Sequence, residues 1–219
     1  MFLISDTHLD HENIIKYCGR PFSSLEQMDR TIIENWNKRV SNDDIVLFGG
    51  DVAMAREEVA FEYANQLHGT LVSLIGNHDD FDVDSAPFEA ANYLRFVYPH
   101  SGTTCQFYYS HYPGHYAEQT NRDDDRIQPQ YAIPPDDFRG VNLHGHVHNN
   151  DTEQFPLYNP HENTVNLSAE LLGYAPLKLS ELIEIIEQDE WYTSVADVPN
   201  DVYDQPDAKT LAHETSPPD

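Results

Sequence analysis

Side chains able to hold a metal ion stand directly after apolar runs at five places in this 219-residue chain. Asp6-Thr7-His8 follows the first run, Gly50-Asp51 the second and Gly76-Asn77-His78-Asp79 the third. His111 follows a fourth, and Gly145-His146-Val147-His148 a fifth. Carboxylate, amide oxygen and neutral imidazole, with no thiolate among them, suit Mn, Fe, Zn or Ni in a reactive centre better than a structural zinc. His146 and His148, two apart in an extended segment, can both reach one metal cluster. Each motif alone has a plain explanation, since Asp-x-His arises by chance and a histidine after a strand commonly faces solvent. The ordered set of five is the signal.

The apolar runs read as the elements that place these groups. Residues 1–5, with Phe2, Leu3 and Ile4, predict a short buried strand, as do 45–48 and 70–75. A helix is expected over 24–40, where Leu25, Met28, Ile32, Trp36 and Val40 repeat at spacings of three and four and Ser23 with Glu26 fits a capping box. A second is expected over 57–67, with Val59, Tyr63 and Leu67 on one side and a stop at His68-Gly69. Strand signals at 94–98, 104–110, 141–144 and 164–167 precede a late helix over 180–187 carrying Leu182, Ile183 and Ile186. Strand–helix alternation predicts an α/β domain with right-handed crossovers. In such sheets ligands bind beyond the strand C-termini, where the polar motifs fall.

Charge narrows the partners. Asp and Glu number 38 against 12 Lys and Arg, a formal net charge of −26. Long nucleic acid and acidic membranes need clustered cations, so both are disfavoured. The acidic residues are spread from Asp6 to Asp219, and their mutual repulsion destabilises a compact state at low ionic strength. At about 1 M salt the Debye length falls to about 3 Å and that repulsion is screened. The composition therefore reads as halophile-like, with an ordinary acidic surface as the alternative. The opening MFLISDTHLD lacks the basic start of a signal peptide, and no apolar run approaches the roughly 20 residues of a membrane helix. Cys18 and Cys105 are too few for a disulfide framework, so a reducing cytoplasm is expected. Residues 1–190 read as the catalytic domain and 191–219 as an acidic, Pro-containing flexible tail.

The five motifs together resemble the calcineurin-like metallophosphoesterase superfamily, whose pattern is D-x-H, G-D, G-N-H-[DE], a lone H, and G-H-x-H. The opening ISDTHLDHENIIKYCGRPF, with SHYP and LHGHVHNN later, is similar to a small bacterial, archaeal and phage branch of that superfamily. The resemblance implies a four-layer α/β/β/α sandwich of two mixed sheets (α+β in some schemes). It further implies two divalent cations, Mn first and Fe, Zn or Ni as alternatives. Asp6, His8, Asp51 and His148 would hold one of them and Asp51, Asn77, His111 and His146 the other. A hydroxide between two such cations would attack phosphorus in line. His78 would contact the substrate phosphate and protonate the leaving oxygen, with Asp79 orienting its imidazole.

A small phosphate ester, possible nucleotides included, is the expected substrate, because two cations offset the acidic surface locally. A phosphodiesterase or nuclease acting on cyclic nucleotides or short oligonucleotides shares the metal chemistry. A non-catalytic scaffold of the same fold is the rival from another class, but such modules tend to lose ligands. A dinucleotide-binding protein is unsupported, for the chain has neither G-x-G-x-x-G nor a P-loop. The long segment 112–140 reads either as a solvated loop or as a cap whose Arg122 and Arg126 clamp phosphate beside Asn77 and His78. His11 and Asn13 are placed either at the cleft rim or at a helix start, and His144 in the core. Asn166, Ser168 and Glu170 are weak candidates for contacts behind the ligands.

Overall fold

The computed structural model describes residues 1–82, 84–114 and 131–203. Three apolar runs form the centre of the first sheet: β1 (Phe2–Ile4), β2 (Ile45–Phe48) and β3 (Thr70–Leu74). They run parallel, with Leu3 opposite Leu47 and Leu47 opposite Val72. β1 is buried throughout, and so is β2 after Ile45, which is why both read as continuously rather than alternately apolar. β4 (Glu89–Ala91) extends the sheet beyond β3.

The connections are α1 (Glu12–Tyr17), α2 (Leu25–Arg39) and α3 (Glu57–Ala64). Helix α2 buries Met28, Ile32 and Trp36, as its spacing requires. The Trp36 ring lies 6.1 Å from that of Phe48, and its indole N–H donates to the His68 carbonyl at 2.9 Å. The cap stands one residue later than expected. Ser24 is the N-cap, accepting from the Gln27 amide, while Gln27 Oε1 accepts from the amide and hydroxyl of Ser23 at 2.7 and 2.8 Å. The sequence holds two overlapping S-x-x-E/Q patterns, and Gln27 reaches both serines, Ser24 through its backbone amide and Ser23 through its side-chain oxygen.

The second sheet begins with a long hairpin, β5 (Tyr93–His100) and β6 (Thr103–Ser110), and continues through β7 (Val141–His144), β8 (Tyr158–Asn159) and β9 (Thr164–Asn166). Its order is β5-β6-β7-β9-β8, with β6, β7 and β9 parallel and the two edge pairs antiparallel. The chain then returns through β10 (Leu177–Lys178), antiparallel to β1, and enters α4 (Leu179–Glu187), which buries Leu179, Leu182, Ile183 and Ile185. Two mixed sheets with helices are thus the α/β fold that the sequence predicts.

One buried cluster draws on both sheets. The sheets are also tied by polar groups: Tyr109 of β6 donates its hydroxyl to the Ile4 carbonyl at 3.0 Å, and the Ser5 amide donates to Leu167 at 2.8 Å. Among the described residues no helix is long and apolar enough to cross a membrane.

The expected flexible tail needs correcting at its start. Tyr192, Val195, Val198 and Tyr203 are all buried, and Tyr192 pairs through its backbone with Tyr158. Arg39 donates to the Tyr203 hydroxyl at 3.0 Å and lies over its ring. The apolar side chains of this acidic stretch follow neither a helical nor a strand period, so their anchoring is invisible until the partner surface exists. Residues 204–219 lie outside the described residues.

Candidate metal centre

Five of the expected ligands occupy left-handed backbone, a region that costs non-glycine residues about 1 kcal/mol or more. These are Asp6 (φ 57°), His8 (48°), Asp51 (61°), His146 (69°) and His148 (52°). Such strain persists only where the surroundings fix it. Here the loops after β1 and β2 lock together, the amides of Asp6 and His8 donating to the carbonyls of Gly50 and Asp51 at 3.0 and 3.1 Å. The motif glycines have a related cause. A Cβ on Gly76 would stand 2.1 Å from Asp51 Oδ1, and one on Gly145 2.1 Å from Asp6 Oδ2. Backbone lies directly against the carboxylates that it positions.

The seven expected ligands converge. Donor atoms of Asp6, His8 and His148 lie within 4.8 Å of one another, as do those of Asp6, Asp51 and His111. Asp6 accepts from the His146 amide at 3.0 and 3.1 Å and from the Ser168 hydroxyl at 3.1 Å. The His8 ring is buried with no hydrogen bond at either nitrogen, its Nε2 standing 3.4 Å from Asp51 Oδ2.

On the other side, His111 Nδ1 donates to the Gly49 carbonyl at 2.7 Å. Its Nε2 faces Asn77 Oδ1 at 3.1 Å and Asp51 Oδ2 at 3.5 Å, and His146 Nδ1 lies 2.9 Å from the same Asn77 oxygen. A neutral His111 therefore directs a lone pair at two other acceptors. A cation, whether a proton or a metal ion, reconciles that arrangement. The donor set fits divalent metal ions of the Mn, Fe, Zn or Ni kind.

Electrostatics divide the four imidazoles: burial keeps His8 and His146 neutral, whereas despite burial the partners of His111 and His148 raise them. Burial, with the nearby charges of Asp79 and Asp6, pushes Asp51 up to about 7 against the opposing pull of His111. Burial alone would lower His111, yet the charges of Asp51 and Asp6 raise it. Burial lowers His8 strongly and brings His146 down to about 2, with neighbouring imidazoles acting in the same direction. Neutral imidazole is the form that ligates metal.

His78 stands half-buried beside the ligands, its ring 5.3 Å from that of His8 and 6.4 Å from that of His11. Its amide donates to Asp51 Oδ1 at 2.8 Å. Asp79 also fixes the backbone around the ligands. Its two oxygens accept from the amides of Asp51, Gly76 and Val52 at 2.7, 2.8 and 3.2 Å, so it holds the Asp51 loop.

His11 occupies the N-cap position of α1 without a side-chain capping bond and lines the site instead, its ring 5.4 Å from that of His8. His144 is buried as expected, with burial bringing it to about 4. Arg122 and Arg126 lie outside the described residues. The described ends of the 112–140 segment pack inward: Tyr112 lies 4.4 Å from the His146 ring, Tyr131 stacks on Tyr93, and Phe138 is buried.

Behind the ligands, Glu170 accepts from His148 Nδ1 at 3.1 Å, and Asn166 donates to the His148 carbonyl at 2.9 Å. His148 holds Glu170 down to about 2 despite its burial. The residue that sequence reasoning missed is Arg20. It is buried against Glu170, and lies 150 positions from it in the chain, so spacing carried no hint of the pairing.

Carboxylates, an amide and imidazoles gathered at strand ends of a two-sheet α/β scaffold form a candidate metal centre. The sequence model of the calcineurin-like phosphoesterases matches residues 2–212, and the chain belongs to that family of metal-dependent phosphoesterases. It is 33% identical over 200 residues to the uncharacterized protein MJ1445 of Methanocaldococcus jannaschii, covering 90% of this chain and 97% of that protein. Its fold is like that in the crystal structure of the protein of unknown function AQ665 from Aquifex aeolicus. That likeness has a TM-score of 0.56 at 24% identity, over 85% of this chain and 98% of that one.

Proposed function

We propose that the seven ligands hold two divalent cations with Asp51 between them, and that the enzyme hydrolyses small phosphate esters by in-line attack. The observation that carries this reading is the facing of acceptor on acceptor at His111 Nε2, Asn77 Oδ1 and Asp51 Oδ2, beside the unsatisfied His8 ring. Paired cations at such a site supply a nucleophilic water near neutral pH and polarise the phosphoryl oxygens. Asp6, His8 and His148 serve one cation, Asn77, His111 and His146 the other, and Asp51 both. His78, at the open side, binds a phosphoryl oxygen and donates a proton to the leaving group.

A cleft of about 940 Å³ opens beside these residues, lined among others by Met54, Arg56, Ile75, Asn77 and His78. That is room for a nucleotide-sized ester. Local cation charge at contact distance outweighs the −26 of a screened surface. The same surface suits a salty cytoplasm, and free Cys18 and Cys105 suit a reducing one.

The test is a metal-free preparation supplied with Mn, Fe, Zn or Ni and offered mono- and bis-p-nitrophenyl phosphate with a nucleotide panel. Turnover restored by metal, highest with Mn, is expected. Preference for the bis-ester would assign a diesterase, and preference for the mono-ester a phosphatase. Absence of turnover and of stoichiometric metal uptake under every condition would overturn the reading.

A further inference from the structure

Arg20 is a buried guanidinium in a chain with few cations, and four of its contacts lead to the metal centre. Its Nε and one terminal nitrogen donate to Glu170 Oε1 at 2.8 and 2.7 Å. The terminal nitrogens also donate to the main-chain carbonyls of Thr7 and Asp6, at 2.7 and 2.8 Å. The last two carbonyls belong to the loop that carries Asp6 and His8 in left-handed backbone. Glu170 passes the constraint on, its oxygens 3.1 and 3.2 Å from His148 Nδ1. A carboxylate accepting there puts the proton on Nδ1 and leaves the Nε2 lone pair for a cation. The face of Tyr174 covers the guanidinium at 5.7 Å and keeps water from competing.

We infer that Arg20 and Glu170 form a brace that positions His148 and the Asp6–His8 loop for one of the two metal sites and not the other. This rests on the dinuclear reading above. The selectivity follows from the anchors. His111 is oriented by the Gly49 carbonyl, and the Asp51 and Gly76 loops by Asp79. Those anchors lie on the β2 and β3 side, whereas Arg20 ties the loops after β1 and β9. A planar fork is needed, because one ammonium cannot span a carboxylate and two carbonyls in fixed directions.

The probe is Mn²⁺ alone, titrated into metal-free protein. Free Mn²⁺ is read by electron paramagnetic resonance, and the bound signal is inspected for coupling between paired ions. Glu170→Gln keeps the side-chain shape; Arg20→Met removes the fork. Each is expected to weaken one site about 10- to 100-fold, leave the other at its wild-type affinity, and abolish the coupled signal at limiting Mn²⁺. Arg39→Met breaks the remote Arg39–Glu181 pair and is expected to lower thermal stability while retaining both ions. Two undiminished sites in both brace variants, or equal weakening of both sites, overturns the inference. If Arg20→Met does not fold, Glu170→Gln decides alone. A wild type that binds fewer than two Mn²⁺ instead overturns the dinuclear reading, and the brace with it.

Discussion

Replacing Asp51 with asparagine separates stability from metal binding at the point where they conflict. In the metal-free protein Asp51 is raised from 3.8 to about 7 by burial and by the charges of Asp79 and Asp6. At about 1.4 kcal/mol per pH unit, keeping this group ionised costs the fold about 4 kcal/mol. The sign follows from linkage: a raised folded value means that the contribution is favourable at low pH and is lost as pH rises from about 4 to about 7. Asparagine removes that loss while its oxygen still accepts from the His78 amide. The opposing loss of the His111 partner reduces the gain, so about 4 kcal/mol is an upper figure. In EDTA, urea unfolding across pH 5 to 8 is expected to show Asp51→Asn gaining on the wild type as pH rises, then levelling above about 7. With saturating Mn²⁺ the order reverses, because ligand at 100 times its dissociation constant adds about 2.7 kcal/mol per site to the wild type alone. Turnover is abolished in the variant. A difference in EDTA that is flat with pH, or that favours the wild type at pH 8, would refute the electrostatic reasoning. A variant that still binds both metals would refute the bridging assignment.

His78→Ala should retain both metals and lower kcat by about 10²- to 10⁴-fold, with the smaller loss on an ester whose leaving group needs no proton. Equal losses on good and poor leaving groups would remove the acid role. Gly145→Ala should displace the Asp6 carboxylate, which a Cβ would meet at 2.1 Å, and so weaken metal uptake measured by calorimetry. Wild-type affinity there would show that the close approach is not needed. Tyr203→Ala should cost about 3 kcal/mol in urea unfolding, as for other buried aromatic truncations, where a free tail would cost nothing. Melting in KCl from low to molar concentration should rise if the −26 charge is adapted to salt, and an unchanged midpoint removes that idea.

What could be read directly were long apolar runs and contiguous motifs. The helix at Leu25–Arg39 and the strand at Val141–His144 announce themselves because burial of one face or of both imposes a period on neighbouring residues. Two-residue strands such as Tyr158–Asn159 and the six-residue α1 are too short to carry a period, and the packed stretch after residue 190 has apolar residues without one. The seven candidate ligands were legible for another reason: strand ends gather chemistry, and each ligand lies in a short contiguous motif directly after an apolar run.

The chain itself thus determined which groups stand at the ends of its strands, and with them the family and the metal-dependent class of reaction. Tertiary structure alone decided what holds those groups. Asp79 found the amides of the Asp51 loop, and Arg20 found Glu170 across 150 residues. The physical reason is that buried charge and buried amides must find partners wherever the fold brings them, and distance along the chain does not enter that requirement.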